Sequence, residues 1–121
     1  KDEVLSGMDA ELRKACADIA AEIGLEMDFE EIWYSPPVAF DEACVSAVRT
    51  ACEGGDIPHM DIVSGAGHDA CYLSRVAPTA MAFTPCLNGI SHNEIESAEP
   101  EHLEAGCNVL LQAMIERANA T

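Results

Sequence analysis

The sequence has 121 residues, of which 49% are hydrophobic and 23% are charged, a composition typical of a globular domain. Its formal net charge is −16 and it has no basic stripe, so we expect it to bind neither nucleic acid nor an anionic membrane surface. No apolar run approaches the length of a transmembrane helix, and the initial segment "KDEVLSGMDAEL" lacks the apolar core of a signal peptide. Because the sequence does not begin with Met, we expect it to be part of a longer polypeptide.

The spacing and surroundings of the six cysteines indicate the redox state of the cellular compartment. No two of them form a C-x-x-C pair, which argues against a zinc ribbon and against a thioredoxin-like site. Five of the six lie among apolar residues in predicted helices, where a free cysteine behaves as a small hydrophobic side chain. We therefore expect a reducing, cytoplasmic location.

The first predicted unit consists of one helix and one strand. Apolar residues at helical spacing predict an amphipathic helix that ends at Gly24. In the following segment, "LEMDFEEIWY" (residues 25–34), apolar and acidic side chains alternate as far as Glu30, which predicts a strand with one solvated face. The alternation slips at Glu31, as at a bulge or a change of face. Pro36 and Pro37 then interrupt any regular element and mark the predicted boundary between two units.

The second predicted unit alternates strands and helices, which indicates an α/β fold with parallel strands. Its first helix has Asp41 as a predicted N-cap, and its long final helix begins at Pro100, a residue type that helix starts favour. Between these helices the sequence predicts two short strands, one in "MDIVSGAG" (60–67), where it runs into the glycines, and one in "TAMAFTP" (79–85), with a helix "HDACYLSRV" (68–76) between them.

The first candidate site is the turn at residues 64–69, "SGAGHD". It follows a predicted strand and precedes a predicted helix, where ligands bind in open α/β sheets. The backbone of Gly65, Ala66 and Gly67 could approach a carboxylate there. The same residues also fit an ordinary tight turn in which Asp69 favours the helix dipole, and a single G-x-G is a weak motif.

The second candidate is His92, which lies in a polar loop after the predicted strand 79–85. A neutral imidazole is a good ligand for zinc or another divalent metal, and Glu94 or Glu96 could fix its tautomer. The alternative is an exposed loop histidine or a helix cap. His59 and His102 are interpreted as solvated surface residues.

A cysteine nucleophile is the third and weakest interpretation. Cys71 lies three residues after His68, on the same face of a predicted helix, a geometry that rarely presents a thiolate to an open pocket. Cys86 is the other cysteine that could pair with His68.

Taken together, "SGAGHDA", then "PTAMAFTPCLNGISHNEIE", then a final helix that contains glycine, resemble the C-terminal part of one enzyme family. This family contains the N-carbamoyl-L-amino-acid hydrolases, allantoate amidohydrolases and β-ureidopropionases, within the dinuclear-metal aminopeptidase-like superfamily. The resemblance covers essentially the whole sequence. It implies that residues 1–35 are the end of an inserted α+β domain for dimerisation, and that residues 36–121 are the C-terminal part of an α/β catalytic domain.

The resemblance also implies a chemistry: hydrolysis of a carbamoyl or ureido C–N bond with the help of two divalent metals. These would be zinc or manganese, with cobalt and nickel as further candidates. His92 matches the family's last metal ligand. The expected contacts to substrate are Gly65, Ala66, Gly67, His68, Gly89 and Ser91.

The rest of the reaction centre lies upstream of this sequence in the family pattern. The other metal ligands, the general base and the residues that hold the substrate carboxylate have no counterpart here, so no catalytic residue is assigned. A tight catalytic metal needs three or four protein ligands, so we expect the chain alone to be inactive and to bind metal weakly or not at all.

The expected partners are the missing N-terminal part of the same enzyme, a small carbamoyl or ureido substrate, and a second copy in a homodimer. Two alternatives stay open. One is a non-catalytic module for ligand binding or dimerisation, and the other is a metallo-dipeptidase or aminopeptidase of the same superfamily.

Overall fold

The structure is a computed structural model that describes residues 2–120. Within this range it contains four α-helices and one 3₁₀ turn. The helices are α1 (Asp2–Ile23), α2 (Glu42–Gly54), α3 (Asp69–Leu73) and α4 (Pro100–Asn119), and the 3₁₀ turn is Leu87–Gly89. None of the helices found in the described range is long and apolar enough to cross a membrane.

The chain divides into two compact units, Lys1–Val38 and Ala39–Thr121. The sequence predicts the boundary between the units after Ser35. The assignment of the two units to an inserted domain and a catalytic domain of a larger enzyme stays a prediction.

The first unit is built on α1, which ends as predicted at Gly24. This glycine has a φ of +72°, a left-handed conformation that glycine adopts without the Cβ clash of other residues. α1 contains no buried residue, and apolar side chains such as Met8 (62% exposed) and Ile23 (61% exposed) face solvent. The helix is therefore amphipathic in sequence, but its apolar face is largely uncovered in this chain.

Arg13 connects α1 to the segment that follows it. Its Nε donates to a carboxylate oxygen of Asp9 at 2.8 Å, and its Nη1 donates to the carbonyl of Phe29 at 3.1 Å. The guanidinium carbon also lies 4.5 Å from the centre of the Phe29 ring, within the range of a cation–π contact. One arginine thus fixes part of residues 25–34 against the helix.

The second unit has a small core between α2 and α4. Its buried residues are Ala47 and Cys52 of α2, and Val109 and Ala113 of α4. Burial raises the pKa of the Cys52 thiol, because a thiolate would lose its hydration there. The two alanines are small, which lets the two helices approach closely.

The N-terminal ends of α2 and α4 lie where the sequence predicts them. Asp41 is the N-cap of α2, and its carboxylate accepts the backbone N–H of Cys44 at 2.9 Å. This hydrogen bond holds the pKa of Asp41 below its ordinary value of 3.8. α4 begins at Pro100, whose missing N–H costs nothing in the first turn of a helix.

α4 approaches the segment at residues 79–85 through Gly106. A Cβ added at Gly106 would lie well inside 3.0 Å of Cγ2 of Thr84, a distance that real Cβ atoms essentially never show. The next nearest atom, Cβ of Thr84, would be at an ordinary 3.9 Å. One threonine methyl therefore occupies the space that a side chain at position 106 would need.

Arg49 of α2 holds the segment that leads to the first candidate loop. Its Nε and Nη2 donate to the two carboxylate oxygens of Asp61 at 3.2 and 2.8 Å, and its Nη1 donates to Glu42 at 2.8 Å. The hydrogen bonds to Asp61 and Glu42 raise the pKa of Arg49, and the same contact with Arg49 lowers the pKa of Asp61.

The predicted strands do not form in this chain. Residues 25–34, 60–67 and 79–85 have no regular secondary structure, and no β-strand occurs anywhere in residues 2–120. A strand exists through a ladder of backbone hydrogen bonds to a neighbour, and these segments find no such neighbour in the described chain. The α/β class is therefore not confirmed, and the chain as described is helical.

The predicted helix at residues 68–76 is also shorter than expected. Only Asp69–Leu73 is α-helical. After Leu73 the chain forms an irregular turn in which the Leu73 carbonyl accepts the N–H groups of both Val76 and Ala77, each at 3.0 Å.

Much apolar surface is exposed. Val63 is 99% exposed and Met60 is 78% exposed, and both lie in a segment whose sequence predicts a strand. Surface of this kind is normally covered by other parts of a protein.

Candidate functional site

The first candidate loop is organised around the hydroxyl of Ser64. The Ser64 Oγ accepts the backbone N–H of Ala66 at 3.2 Å and lies 2.8 Å from Nε2 of His68. The hydroxyl can either donate to Nε2 or accept from it, and the tautomer of the ring decides which of the two donates.

His68 links this loop to the segment at residues 79–85. The residue precedes α3 in an extended conformation, with φ −138° and ψ 153°. Its ring packs edge-on against Phe83, with the ring centres 5.4 Å apart and the planes inclined by 65°. Contacts on two sides, from Ser64 and from Phe83, therefore hold a half-buried imidazole in one orientation.

Gly65 and Gly67 leave open space beside the backbone. A Cβ added at either glycine would meet no atom within 4 Å in the described structure, and neither glycine has a left-handed φ. The local fold therefore does not require glycine at these positions. Room beside an exposed backbone is what a bound carboxylate would need, and the same openness also fits a simple turn.

The second candidate loop is closed at its base. The N–H of Leu87 donates to the carbonyl of Ser97 at 2.7 Å, so the ends of the intervening segment are joined. Within the loop, Asn93 forms a turn in which its side-chain oxygen accepts the N–H of Ile95 at 3.1 Å and its carbonyl accepts the N–H of Glu96 at 2.9 Å. The loop is thus a compact surface structure with its own hydrogen bonds.

Three residues of this loop have left-handed backbones: Asn88 with φ 56°, Gly89 with φ 69° and His92 with φ 55°. For glycine this costs little, whereas a residue with a Cβ loses roughly 1–2 kcal/mol. Non-glycine residues in this conformation concentrate at functional sites. His92 is therefore a residue whose backbone the loop constrains.

Glu96 contacts the backbone of His92. Its Oε2 accepts the His92 N–H at 2.7 Å, and its Oε1 accepts the thiol of Cys86 at 3.8 Å. The side chain of Glu94 makes no hydrogen bond or ion pair with any residue that the structure describes. Neither carboxylate makes a hydrogen bond to the ring of His92 in the described structure, and the expectation that one of them fixes its tautomer stays a prediction.

His92 has the chemistry of a metal ligand and is exposed. No described residue hydrogen-bonds to its ring nitrogens, so an imidazole nitrogen is available to coordinate an ion. One ligand does not make a tight site. In residues 2–120 no three side chains of His, Cys, Asp or Glu lie close enough together to hold a metal ion. The donor set fits a single ligand of a larger site.

The remaining residues singled out by the sequence are Ser91, Cys71, Cys86, His59 and His102. Ser91 is exposed beside His92, and no hydrogen bond or ring contact in the described chain joins His68 to His92. The thiols of Cys71 and Cys86 make no hydrogen bond to His68 within the described residues. His59 and His102 are both exposed.

Two features of the site escaped sequence reasoning. The contact of Phe83 with His68 joins residues that are far apart in the chain, and no local pattern indicates it. The hydrogen bond from the His92 N–H to Glu96 had a weak local signal, an acidic residue four positions after a loop histidine.

Comparison with known proteins identifies the family. The model of peptidase family M20/M25/M40 matches residues 4–116, and this range contains both candidate loops. The chain belongs to peptidase family M20/M25/M40.

Individual members of the M20/M25/M40 family are similar to this chain over most of its length. An N-carbamoyl-L-amino-acid amidohydrolase of Rhizobium meliloti is 42% identical over 94% of the chain, and allantoate amidohydrolase of Escherichia coli K12 is 34% identical over 85% of it. An amidase of the hydantoinase/carbamoylase family from Burkholderia multivorans is 64% identical in sequence over 98% of the chain, and the TM-score between its crystal structure and this chain is 0.92. The chain spans 27%, 24% and 29% of the length of these three proteins, in that order.

Proposed function

We propose that this chain is part of a metal-dependent amidohydrolase that cleaves the carbamoyl or ureido C–N bond of N-carbamoyl-amino acids or allantoate. The observation that carries the proposal is the similarity to relatives named for these two reactions, over 94% and 85% of the chain, in a range that includes both candidate loops. Because the chain spans about a quarter of those relatives, we expect it to be inactive alone.

In the proposed enzyme His92 provides one ligand to a divalent metal, zinc or manganese, with cobalt and nickel as further candidates. A metal at such a site acts as a Lewis acid toward the carbonyl group of the substrate. Support comes from the exposed ring of His92, which no described residue engages, and from its constrained backbone.

The other candidate residues would surround the substrate. The open space beside Gly65 and Gly67 leaves room for a carboxylate near the backbone, and His68, held by Ser64 and Phe83, would lie next to it. In the second loop, Gly89 and Ser91 lie within three residues of His92 and are exposed. The general base and the remaining metal ligands belong to the part of the enzyme outside this chain.

We further propose that residues 60–67 and 79–85 are strands of an α/β catalytic domain that pair with strands outside this chain. The exposure of Val63 and Met60 supports this proposal, because strands buried in an α/β sheet carry such side chains. Residues 36–121 would belong to this domain and residues 1–35 to an inserted domain that forms a homodimer. The six free cysteines favour a cytoplasmic location.

Hydrolysis of peptides is the second candidate, since the matching family is described as a peptidase family. The relatives at 34–42% identity that are named for carbamoyl and allantoate hydrolysis favour the first candidate.

The test compares substrates with one preparation of the full-length protein that contains these 121 residues. Release of ammonia or amino acid is measured from N-carbamoyl-L-amino acids, allantoate and unmodified dipeptides, before and after removal of metal with a chelator. We expect turnover of a carbamoyl or ureido compound that is lost with the metal. Turnover of dipeptides alone, or undiminished turnover after chelation, would contradict the proposal. Residues 1–121 alone should show no turnover of any of these compounds.

A further inference from the structure

Glu96 has an unusual position beside the predicted metal ligand. In metal sites a carboxylate near a histidine ligand commonly accepts a hydrogen bond from the histidine ring. Here the Glu96 Oε2 accepts the backbone N–H of His92 instead, at 2.7 Å. Glu96 therefore binds the backbone of His92 and makes no hydrogen bond to its ring.

The backbone of His92 needs such support. Its φ of 55° lies in the left-handed region, which residues with a Cβ rarely adopt. A hydrogen bond from its N–H to a charged carboxylate is stronger than a bond to a neutral acceptor. Glu96 is thus placed to favour this conformation over the right-handed and extended alternatives.

Glu96 is itself fixed to the base of the loop. Its backbone N–H donates to the carbonyl of Asn93 at 2.9 Å, and the next residue, Ser97, accepts the N–H of Leu87 at 2.7 Å. Its second carboxylate oxygen accepts the thiol of Cys86 at 3.8 Å. Glu96 is therefore held at its backbone and at its carboxylate, and it connects the base of the loop to the backbone of His92.

We infer that Glu96 is a positioning residue for His92: it fixes the left-handed backbone that aims the imidazole at the metal. This inference rests on the proposed function, in which His92 binds a divalent metal. Metal–ligand distances must be right to about 0.2 Å, so a change in the backbone conformation of the ligand weakens the site. No step of the reaction involves Glu96 directly.

The experiment uses the full-length protein and four variants: Glu96→Ala, Glu96→Gln, Glu94→Ala and His92→Ala. The dissociation constant for zinc is measured by competition with a chromophoric chelator. Hydrogen exchange of the peptide that spans residues 86–97 is measured on the metal-free protein by mass spectrometry. Thermal unfolding of each variant reports whether the fold is intact.

We expect Glu96→Ala to weaken zinc binding by about 10- to 100-fold, the usual effect of removing a residue that orients a ligand. Exchange in residues 86–97 should be faster. Glu96→Gln keeps an acceptor oxygen at the same reach and should recover most of the affinity. Glu94→Ala, which removes the same charge two residues from His92, should leave both measurements unchanged.

The outcomes separate the inference from the function on which it rests. If His92→Ala weakens zinc binding and Glu96→Ala does not, Glu96 is not a positioning residue and the proposed function stands. If Glu94→Ala weakens zinc binding as much as Glu96→Ala, the charge of the loop explains the effect and the inference is wrong. If His92→Ala itself leaves zinc binding unchanged, the proposed role of His92 fails, and the role of Glu96 fails with it.

Discussion

The contact between Gly106 of α4 and Thr84 provides a test of the packing in the second unit. We consider the substitution Gly106→Ala. In an isolated helix this change is stabilising by about 1 kcal/mol, because alanine has the higher helix propensity. In this chain the new methyl group would lie well inside 3.0 Å of Cγ2 of Thr84, and ordinary contact begins only at 3.4 Å.

The steric cost should exceed the gain in propensity. Forcing one extra carbon into a packed position typically costs 1–3 kcal/mol, roughly. Thr84 is branched at Cβ, so its methyl group has few alternative rotamers that would relieve the overlap. The balance of the two effects is a loss of about 0–2 kcal/mol in the free energy of unfolding.

The assay is urea denaturation of the 121-residue chain, followed by far-ultraviolet circular dichroism. Gly106→Ala is measured in the original sequence and in a Thr84→Ser background, which lacks Cγ2. We expect it to destabilise the original chain and to stabilise the Thr84→Ser chain by about 1 kcal/mol. Gly7→Ala in α1, where an added Cβ meets nothing within 4 Å, should be stabilising as well. Stabilisation by Gly106→Ala in the original sequence would refute the proposed packing of α4.

Further predictions concern two carboxylates of the second unit, and both are read by thermal unfolding. Asp41→Ala removes the N-cap of α2 and should lower the unfolding midpoint by roughly 4–8 °C, while Asp41→Asn should keep most of the stability because asparagine caps equally well. An equal loss in both variants would show that charge, and not capping, matters. The hydrogen bond from Arg49 lowers the folded-state pKa of Asp61 below its ordinary value of 3.8. The ion pair therefore stabilises the fold above about pH 4, and this stabilisation is lost as the pH falls through the folded-state pKa. Asp61→Asn should remove this part of the acid sensitivity, and an unchanged pH profile would contradict the pairing.

The helices could be predicted from the sequence because their signals are local. The cap at Asp41, the left-handed stop at Gly24 and the start at Pro100 each depend on residues within one or two turns. The boundary of α3 was the exception, since the chain passes into an irregular turn after Leu73 without a glycine or proline to mark it.

The strands could not be predicted from local signals in the same way. An apolar run such as residues 60–67 indicates a strand only if a partner strand accepts its hydrogen bonds, and partner strands are set by distant parts of a chain. The structure leaves Val63 of this run 99% exposed. The failure of the predicted strands to form in residues 2–120 therefore follows from the lack of a partner within the described chain.

The candidate site was predictable in part. The motif "NGISHNEIE" and its resemblance to the family led to the prediction of His92 as a metal ligand, but they did not show that Glu96 would bind the backbone and leave the ring free. Likewise, "SGAGHDA" directed attention to His68, whereas the packing of Phe83 against its ring depends on a tertiary contact. Residue types and their order were visible in the sequence, and their mutual orientation was not.

The proposed function depends most directly on His92 as a metal ligand. The decisive measurement is the metal content of the full-length protein and of two variants, His92→Ala and His59→Ala, by mass spectrometry after removal of loosely bound metal. His59 is an exposed histidine whose Nδ1 lies 3.0 Å from the carbonyl of Ile57, and it serves as the matched control. We expect the original protein and His59→Ala to retain their divalent metals and to hydrolyse the carbamoyl or ureido substrate. His92→Ala should lose metal and activity together. Full metal content and activity in His92→Ala would contradict the account.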